Sequence, residues 1–284
     1  MVKIERSLLN QVIQVRPQAS HKGDYGRLLL LGGCYPYGGA ILMAAKAAVY
    51  SGAGLVTVGT EVANITALHA QLPEAMAFAV TDRSLLEEQL AKAEVVLLGP
   101  GLGESDDACH LMESVLSSLS SAQVLILDGS ALSVLAKHRE RFASLISCQL
   151  VLTPHQMEWE RLSQVPIAKQ TPERSLRALG NFPKGTILVA KGPRTVVLQE
   201  GQLPRELTIG GPYQATGGMG DTLAGIIAGF IGQFKGELLD RVTAAVYTHS
   251  AIAEELSQSH YVTLPSQIAE KLPVFMHRIL LNFK

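Results

Sequence analysis

The chain carries no excess of charge of either sign: 24 Lys and Arg stand against 25 Asp and Glu in 284 residues, a formal net charge of -1. That balance removes the electrostatic case for a nucleic-acid surface and leaves small polar molecules as the expected partners. Cysteine is scarce. Cys34, Cys109 and Cys148 lie far apart, with no C-x-x-C pair and no metal-ligand spacing, which fits a reducing cytoplasm. No run is long and apolar enough to span a membrane: Leu223 to Phe234 is broken by three glycines and a glutamine and falls short of the ~20 residues required. Lys3, Glu5 and Arg6 occupy the place of a signal peptide's apolar core. A soluble, cytoplasmic protein with no membrane partner is expected. Internal repeats, low-complexity tracts and Pro/Ser-rich linkers are missing too, so residues 1–284 are expected to form a single domain, with 1–19 as an N-terminal helix and turn. A G-x-x-x-x-G-K-[S/T] segment is also missing, which excludes a standard P-loop.

What is present is a regular alternation. Arg27 to Leu31 is a continuous apolar run of the kind buried on both faces, and it ends in Gly32-Gly33. An alanine-rich helix from Ala40 to about Ser51 follows, stopped by Gly52 and Gly54, and Leu55 to Val58 reads as the next strand. The rhythm repeats through strands near 75–80, 95–98, 124–127, 150–152 and 186–190, with helices over 61–70, 84–92, 106–119, from Ala131 and after Pro154. Such alternation predicts an α/β fold, a mostly parallel sheet with helices on both faces. Lys191 to Arg194 separates two strand-like runs, 187–190 and 195–199, as a hairpin turn, and helices over 237–257 and 265–281 cover one sheet face. Ligands of such sheets collect beyond the carboxyl ends of the strands, so the residues after each strand are where the chemistry is expected.

The segment Ala215-Thr216-Gly217-Gly218-Met219-Gly220-Asp221-Thr222 places three glycines and a carboxylate ahead of a small-residue apolar run. Glycines let backbone N–H groups curl around a guest, and a helix's first turn offers free donors and a positive dipole end, which together make an anion hole of Gly217, Gly218, Met219 and Gly220. A carboxylate there does not bind phosphate, but it can take a proton from an attacking hydroxyl. The competing reading makes Asp221 a helix cap. Gly99-Pro100-Gly101-Leu102-Gly103 follows a strand as a ligand loop or a tight turn. Asp128, also just past a strand, suits a magnesium ion held through water, a substrate hydroxyl, or an Asx turn. His155 and Glu158 stand three apart at a helix start and share a face. Lys191-Gly192-Pro193-Arg194-Thr195 puts two cations and a hydroxyl into one turn, either a phosphate clamp or a solvated hairpin tip. His21, His249 and His260 lack partners at metal-ligand spacing and read as structural.

Together, Ser20 to Gly26, the Gly38-Gly39-Ala40 helix entry, Gly99 to Gly103, Leu127-Asp128-Gly129, Thr153-Pro154-His155, Lys191 to Thr195 and Ala215 to Asp221 resemble, in order, the motifs of the ADP-dependent NAD(P)H-hydrate dehydratases of the ribokinase-like superfamily. The match runs over nearly the whole chain from about Ser20. The resemblance implies a metabolite-repair lyase that dehydrates the S form of hydrated NADH or NADPH while ADP becomes AMP and phosphate. It implies Asp221 as catalytic base, contacts to the hydrated dinucleotide from Ala40, Gly103, His155 and Asp221, and contacts to ADP or AMP from Lys191, Gly192, Pro193, Arg194, Thr195 and Gly220. Mg²⁺ as cofactor, held through water by Asp128 and Glu158, a homotetramer, and a functional link to an NAD(P)H-hydrate epimerase complete the expectation. Three departures from the family's pattern stand out: Met219 in place of Thr, Tyr37-Gly38-Gly39 in place of Met-Pro-Gly, and Gln156 in place of Pro. At Met219 a hydroxyl is lost while the backbone donor survives. Two rivals use the same pocket: a small-molecule alcohol kinase of the same fold, and a non-catalytic nucleotide-binding regulator.

Overall fold

The continuous apolar runs do what two-faced strands must: in the computed structural model, which describes residues 1–281, they lie side by side in one sheet. In chain order the strands are β1 (Val2–Lys3), β2 (Arg27–Leu31), β3 (Leu55–Thr60), β4 (Met76–Ala79), β5 (Val95–Leu98), β6 (Val124–Leu127), β7 (Gln149–Leu152), β8 (Ile187–Ala190), β9 (Val196–Gln199) and β10 (Arg205–Glu206). Across the sheet the order is β1-β10-β9-β8-β7-β6-β5-β2-β3-β4. From β4 to β8 every neighbouring pair is parallel, whereas β9 runs antiparallel to both β8 and β10.

The helices are α1 (Ser7–Val12), α2 (Gly38–Tyr50), α3 (Val62–Gln71), α4 (Arg83–Lys92), α5 (Asp106–Ser118), α6 (Ser130–Lys137), α7 (Arg139–Phe142), α8 (Gln156–Ser163), α9 (Pro172–Leu179), α10 (Met219–Gln233), α11 (Leu238–Ser257) and α12 (Pro265–Leu281). Alternate strand side chains serve two cores. Leu28, Leu30, Leu97 and Ile126 meet α2, α10, α11 and α12; Leu29, Leu31, Leu98 and Leu127 meet α5, α6 and α8. Two apolar faces per strand are why the runs in the sequence are unbroken. Among the described residues no helix is long and apolar enough to cross a membrane.

The chain start differs from expectation. The helix there ends at Val12, and Val2–Lys3 pairs in parallel with Arg205–Glu206 at the sheet edge. Both pieces are two residues long with no apolar alternation, so no sequence period marks them.

Strand order reverses between β2 and β5, and the loops leaving these strands press together. Gly33 N–H donates to Pro100 O at 2.9 Å and Cys34 N–H to Gly101 O at 2.7 Å. A Cβ on Gly32 would lie 2.1 Å from Pro100 O, so no side chain fits. Helix α10 is buried along nearly its whole length and lies against α2 through glycines; a Cβ on Gly225 would come within 2.1 Å of Ala44 O. That seam lets α10 lie close on the sheet and brings its N-terminus to the strand ends. Gly225→Ala is therefore expected to force α10 and α2 apart and lower stability by roughly 1–3 kcal/mol. Thermal unfolding checks this, and an unchanged midpoint would show that the seam has slack.

Candidate active site

Three strand ends and one helix start meet at the carboxyl edge of the sheet. Gly218 precedes α10 with φ of 91°, a left-handed conformation that favours glycine. The first intrahelical bond runs from Thr222 N–H to Gly218 O, so the N–H groups of Met219, Gly220 and Asp221 have no partner within the helix. Met43 of α2 supports the turn from below, its sulfur 2.3 Å from where a Gly218 Cβ would stand, while the space above Gly217 is open. The result is a cradle of backbone donors with Asp221 in its first turn. Burial, and next the negative charge of Asp128, push the Asp221 carboxyl up to about 6, against the pull of the Lys191 ammonium. A carboxylate with that affinity for protons is suited to accept one near neutral pH.

Lys191 does not project from the hairpin into solvent. It follows β8, bonds through its N–H to Pro154 O at 2.9 Å, and turns its side chain inward to Asp128, with Nζ 2.9 Å from Oδ1. The ammonium also stands 3.1 Å from where a Gly220 side chain would begin, at the mouth of the α10 cradle. Asp128 is 2% exposed, and its Oδ1 also accepts the Thr153 hydroxyl at 2.6 Å. Burial alone would lower the Lys191 pKa, but the charges of Asp128, Glu158 and Asp221 outweigh it and hold the ammonium above the ordinary lysine range. Glu158 is buried, which pushes its carboxyl up against the charge of Lys191 and the amide of His155.

His155 caps α8, with Nδ1 accepting from the N–H groups of Met157 at 3.1 Å and Glu158 at 3.2 Å. Nδ1 is thus bare, and Nε2 carries the ring proton, 3.4 Å from Glu158 Oε1. Glu158 Oε2 returns the contact by accepting His155 N–H at 2.8 Å. This reciprocal cap holds a half-exposed imidazole beside the cluster. No group of three His, Cys, Asp or Glu among the described residues is arranged to hold a metal directly. Asp128, Glu158 and Asp221 supply only hard oxygen atoms, a donor set that fits Mg²⁺ held through waters.

On one side of the cradle, Ala40 of α2 borders the loop after β5: a Gly101 Cβ would lie 3.1 Å from the Ala40 methyl. Gly103 has φ of 77° and open space above it. On the other side lies a cavity of about 560 Å³. Lys191, Gly192, Pro193 and Thr195 form its hairpin wall, Met219 and Gly220 its cradle end, and Leu207, Ile209, Leu223 and Val246 its apolar sides.

The family described as NAD(P)H-hydrate dehydratase matches residues 28–274. An ADP-dependent (S)-NAD(P)H-hydrate dehydratase of Streptococcus pneumoniae is 60% identical over 278 residues, 97% of this chain and 95% of its own. The chain belongs to the NAD(P)H-hydrate dehydratase family. Its fold is that of a solved ribokinase-like superfamily protein of Enterococcus faecalis, at TM-score 0.92 and 41% identity over 98% of this chain and 96% of that one. It also matches an ADP/ATP-dependent NAD(P)H-hydrate dehydratase from Bacillus subtilis co-crystallized with ATP/Mg2+, at TM-score 0.83 and 27% identity over 100% and 99% of the two chains.

Within this family fold, Asp128, His155, Glu158, Lys191, Gly220 and Asp221 converge on one end of the cleft, although they lie on four separate segments. Arg194 does not join them. It is largely exposed and pairs with Glu206 on β10 at 3.4 Å, outside the cavity wall. His249, which its spacing marks as structural, lines the cavity from α11. No signal in the sequence points to it, because only the packing of α11 beneath the segment after β10 brings it there.

Proposed function

We propose that the protein repairs hydrated NADH and NADPH, dehydrating the S form while ADP is converted to AMP and phosphate. The observation that carries this reading is the juxtaposition of a proton-accepting Asp221 with an anion cradle and the Lys191 ammonium. The hydrate's ring hydroxyl, a poor leaving group, gives its proton to Asp221 as its oxygen attacks the β-phosphorus of ADP. The bond from that phosphorus to the bridging oxygen breaks and AMP departs. The N–H groups of Met219, Gly220 and Asp221 and the ammonium of Lys191 receive the charge that develops on the phosphoryl oxygens. Asp128 and Glu158 would hold Mg²⁺ through water, and the ion would add positive charge beside the phosphates. The ring nitrogen's lone pair then expels phosphate, and loss of the neighbouring ring proton restores the dihydropyridine.

In this reading Ala40, Gly103 and His155 border the dinucleotide, and Gly192, Pro193, Thr195 and Gly220 border the nucleotide with Lys191. Arg194 belongs to the nucleotide side only if it leaves Glu206. The S form alone is consumed, so a reaction that interconverts the two hydrate epimers must supply it. Purified protein with Mg²⁺, ADP and hydrated NADH is expected to regenerate the dihydronicotinamide absorbance and release AMP and phosphate in equal amounts. A stable phosphorylated product without free phosphate would mark an alcohol kinase instead. The assembly we propose is a symmetric homotetramer, supported by Tyr261 at 98%, Val274 at 58% and Leu264 at 44% exposure around the start and outer face of α12. A clean monomer mass by light scattering at micromolar concentration would defeat it.

A further inference from the structure

Besides the Lys191 hairpin and the α10 cradle, the 560 Å³ cavity has a second kind of wall. Leu207, Ile209, Leu223 and Val246 make it apolar, and two neighbouring polar side chains of α11, His249 and Ser250, also line it. His249 is 5% and Ser250 6% exposed. Among the described residues neither side chain makes a hydrogen bond, and His249 Nε2 is buried without a partner. A buried polar group normally has a partner, so one left without is a vacancy in the hydrogen-bonding pattern with a real energetic cost. Nearby polar groups are already engaged: Gln214 Oε1 accepts Gly211 N–H at 3.2 Å and Thr216 Oγ1 donates to Thr263 O at 3.5 Å.

We propose that His249 and Ser250 are the base-reading edge of the nucleotide site, selecting the adenine ring of the diphosphate by hydrogen bonds while the aliphatic walls hold its faces. This inference rests on the reading of the cavity as the ADP site and adds to it the residues that determine which base is accepted. Burial, and next the charge of Lys191, lower the His249 pKa to about 4, so near neutral pH its imidazole is uncharged and offers one donor and one acceptor. The Ser250 hydroxyl offers both as well. An adenine edge presents an amino donor beside a ring acceptor. A hypoxanthine edge presents a carbonyl in place of the amino group. That is the reverse pattern, a carbonyl beside a ring N–H, and is met only with the imidazole tautomer and the hydroxyl rotor both reversed, which sets the two bases apart.

The test compares ADP, inosine diphosphate and inorganic pyrophosphate as ligands of the unaltered protein and of His249→Phe and Ser250→Ala. Phe fills the imidazole's space without its hydrogen bonds, and Ser250→Ala is a smaller change that keeps the test open if Phe disturbs folding. Calorimetric affinity for ADP is expected to fall about tenfold in His249→Phe and less in Ser250→Ala, with the ADP-over-inosine-diphosphate preference narrowing in both. Pyrophosphate affinity should stay within about twofold, and in turnover assays the loss should lie in KM for ADP, with kcat little changed. Parallel losses for ADP and pyrophosphate would mean a structural role and overturn the proposal, as would an unaltered base preference. If the unaltered protein does not bind ADP, the reading of the whole cavity fails. If it binds ADP and regenerates the dihydronicotinamide, but the variants keep full base preference, this inference alone fails.

Discussion

Asp221→Asn is expected to leave ADP affinity close to that of the unaltered protein and to lower turnover by about a hundredfold or more, since the amide keeps the shape of the cradle but cannot accept a proton. With the Asp221 carboxyl pushed up to about 6, kcat/KM of the unaltered protein is expected to rise through pH 6 to a plateau as the carboxylate forms. The same residue carries a stability cost with a definite sign. Its folded-state pKa lies above the 3.8 of a free aspartate, so its contribution to stability is fully present below pH 3.8 and is lost as pH rises towards and through 6. Above that window Asp221→Asn should be the more stable protein, by about 1–3 kcal/mol after allowing for solvent screening, with the difference vanishing near pH 4. Turnover near normal in the Asn variant would remove Asp221 from the mechanism. Equal unfolding midpoints at pH 8 would remove the strain argument.

Lys191→Met acts on three observables at once. Its ammonium is bonded to a carboxylate that is 2% exposed, so removing it leaves Asp128 buried and unpaired, a loss of roughly 3–5 kcal/mol in stability. ADP binding loses a cation at the mouth of the cradle and becomes weaker and less sensitive to salt. The positive charge that holds the Asp221 pKa down is also gone, so the acid limb of the pH profile moves above 6. Pairing the change with Asp128→Asn separates these effects. The double variant should recover much of the stability, because the uncompensated charge is gone, but not the ADP affinity. Calorimetry that finds ADP affinity unchanged at both low and high salt would exclude Lys191 from the nucleotide site.

How much of this was legible in the sequence depends on what each residue answers to. Strands β5 to β8 are readable because both of their faces are buried and, apart from Gln149 at the start of β7, every position is apolar. Asp221 and its glycines are readable because the φ of Gly218 and the close contact beneath it restrict the residue type locally. The pairing of β1 with β10 leaves no such trace, since exposed and half-exposed residues pair there through their backbones and Arg205 is tied to Asp240 and Thr243 only by the tertiary fold. That omission explains the different position of Arg194: its partner Glu206 lies on β10, the strand the sequence pattern did not reveal. Asp128 was readable as a carboxylate past a strand, but its ion pair with Lys191, sixty-three residues further on, is created by the adjacency of strand ends. His249 sits mid-helix between Thr248 and Ser250, and only tertiary packing makes it part of a cavity.

The glycine seam between α10 and α2 has a consequence for how the site meets its guest. With the α10 backbone resting on that of α2, the cradle cannot fold down over a phosphate as a lid would, and its donors are aimed before anything arrives. Ordering the cradle is part of folding the core, so little conformational entropy remains to be lost there when nucleotide binds. The phosphoryl group in flight therefore crosses a fixed dipole field, with no reorganisation needed at the moment the bond changes hands.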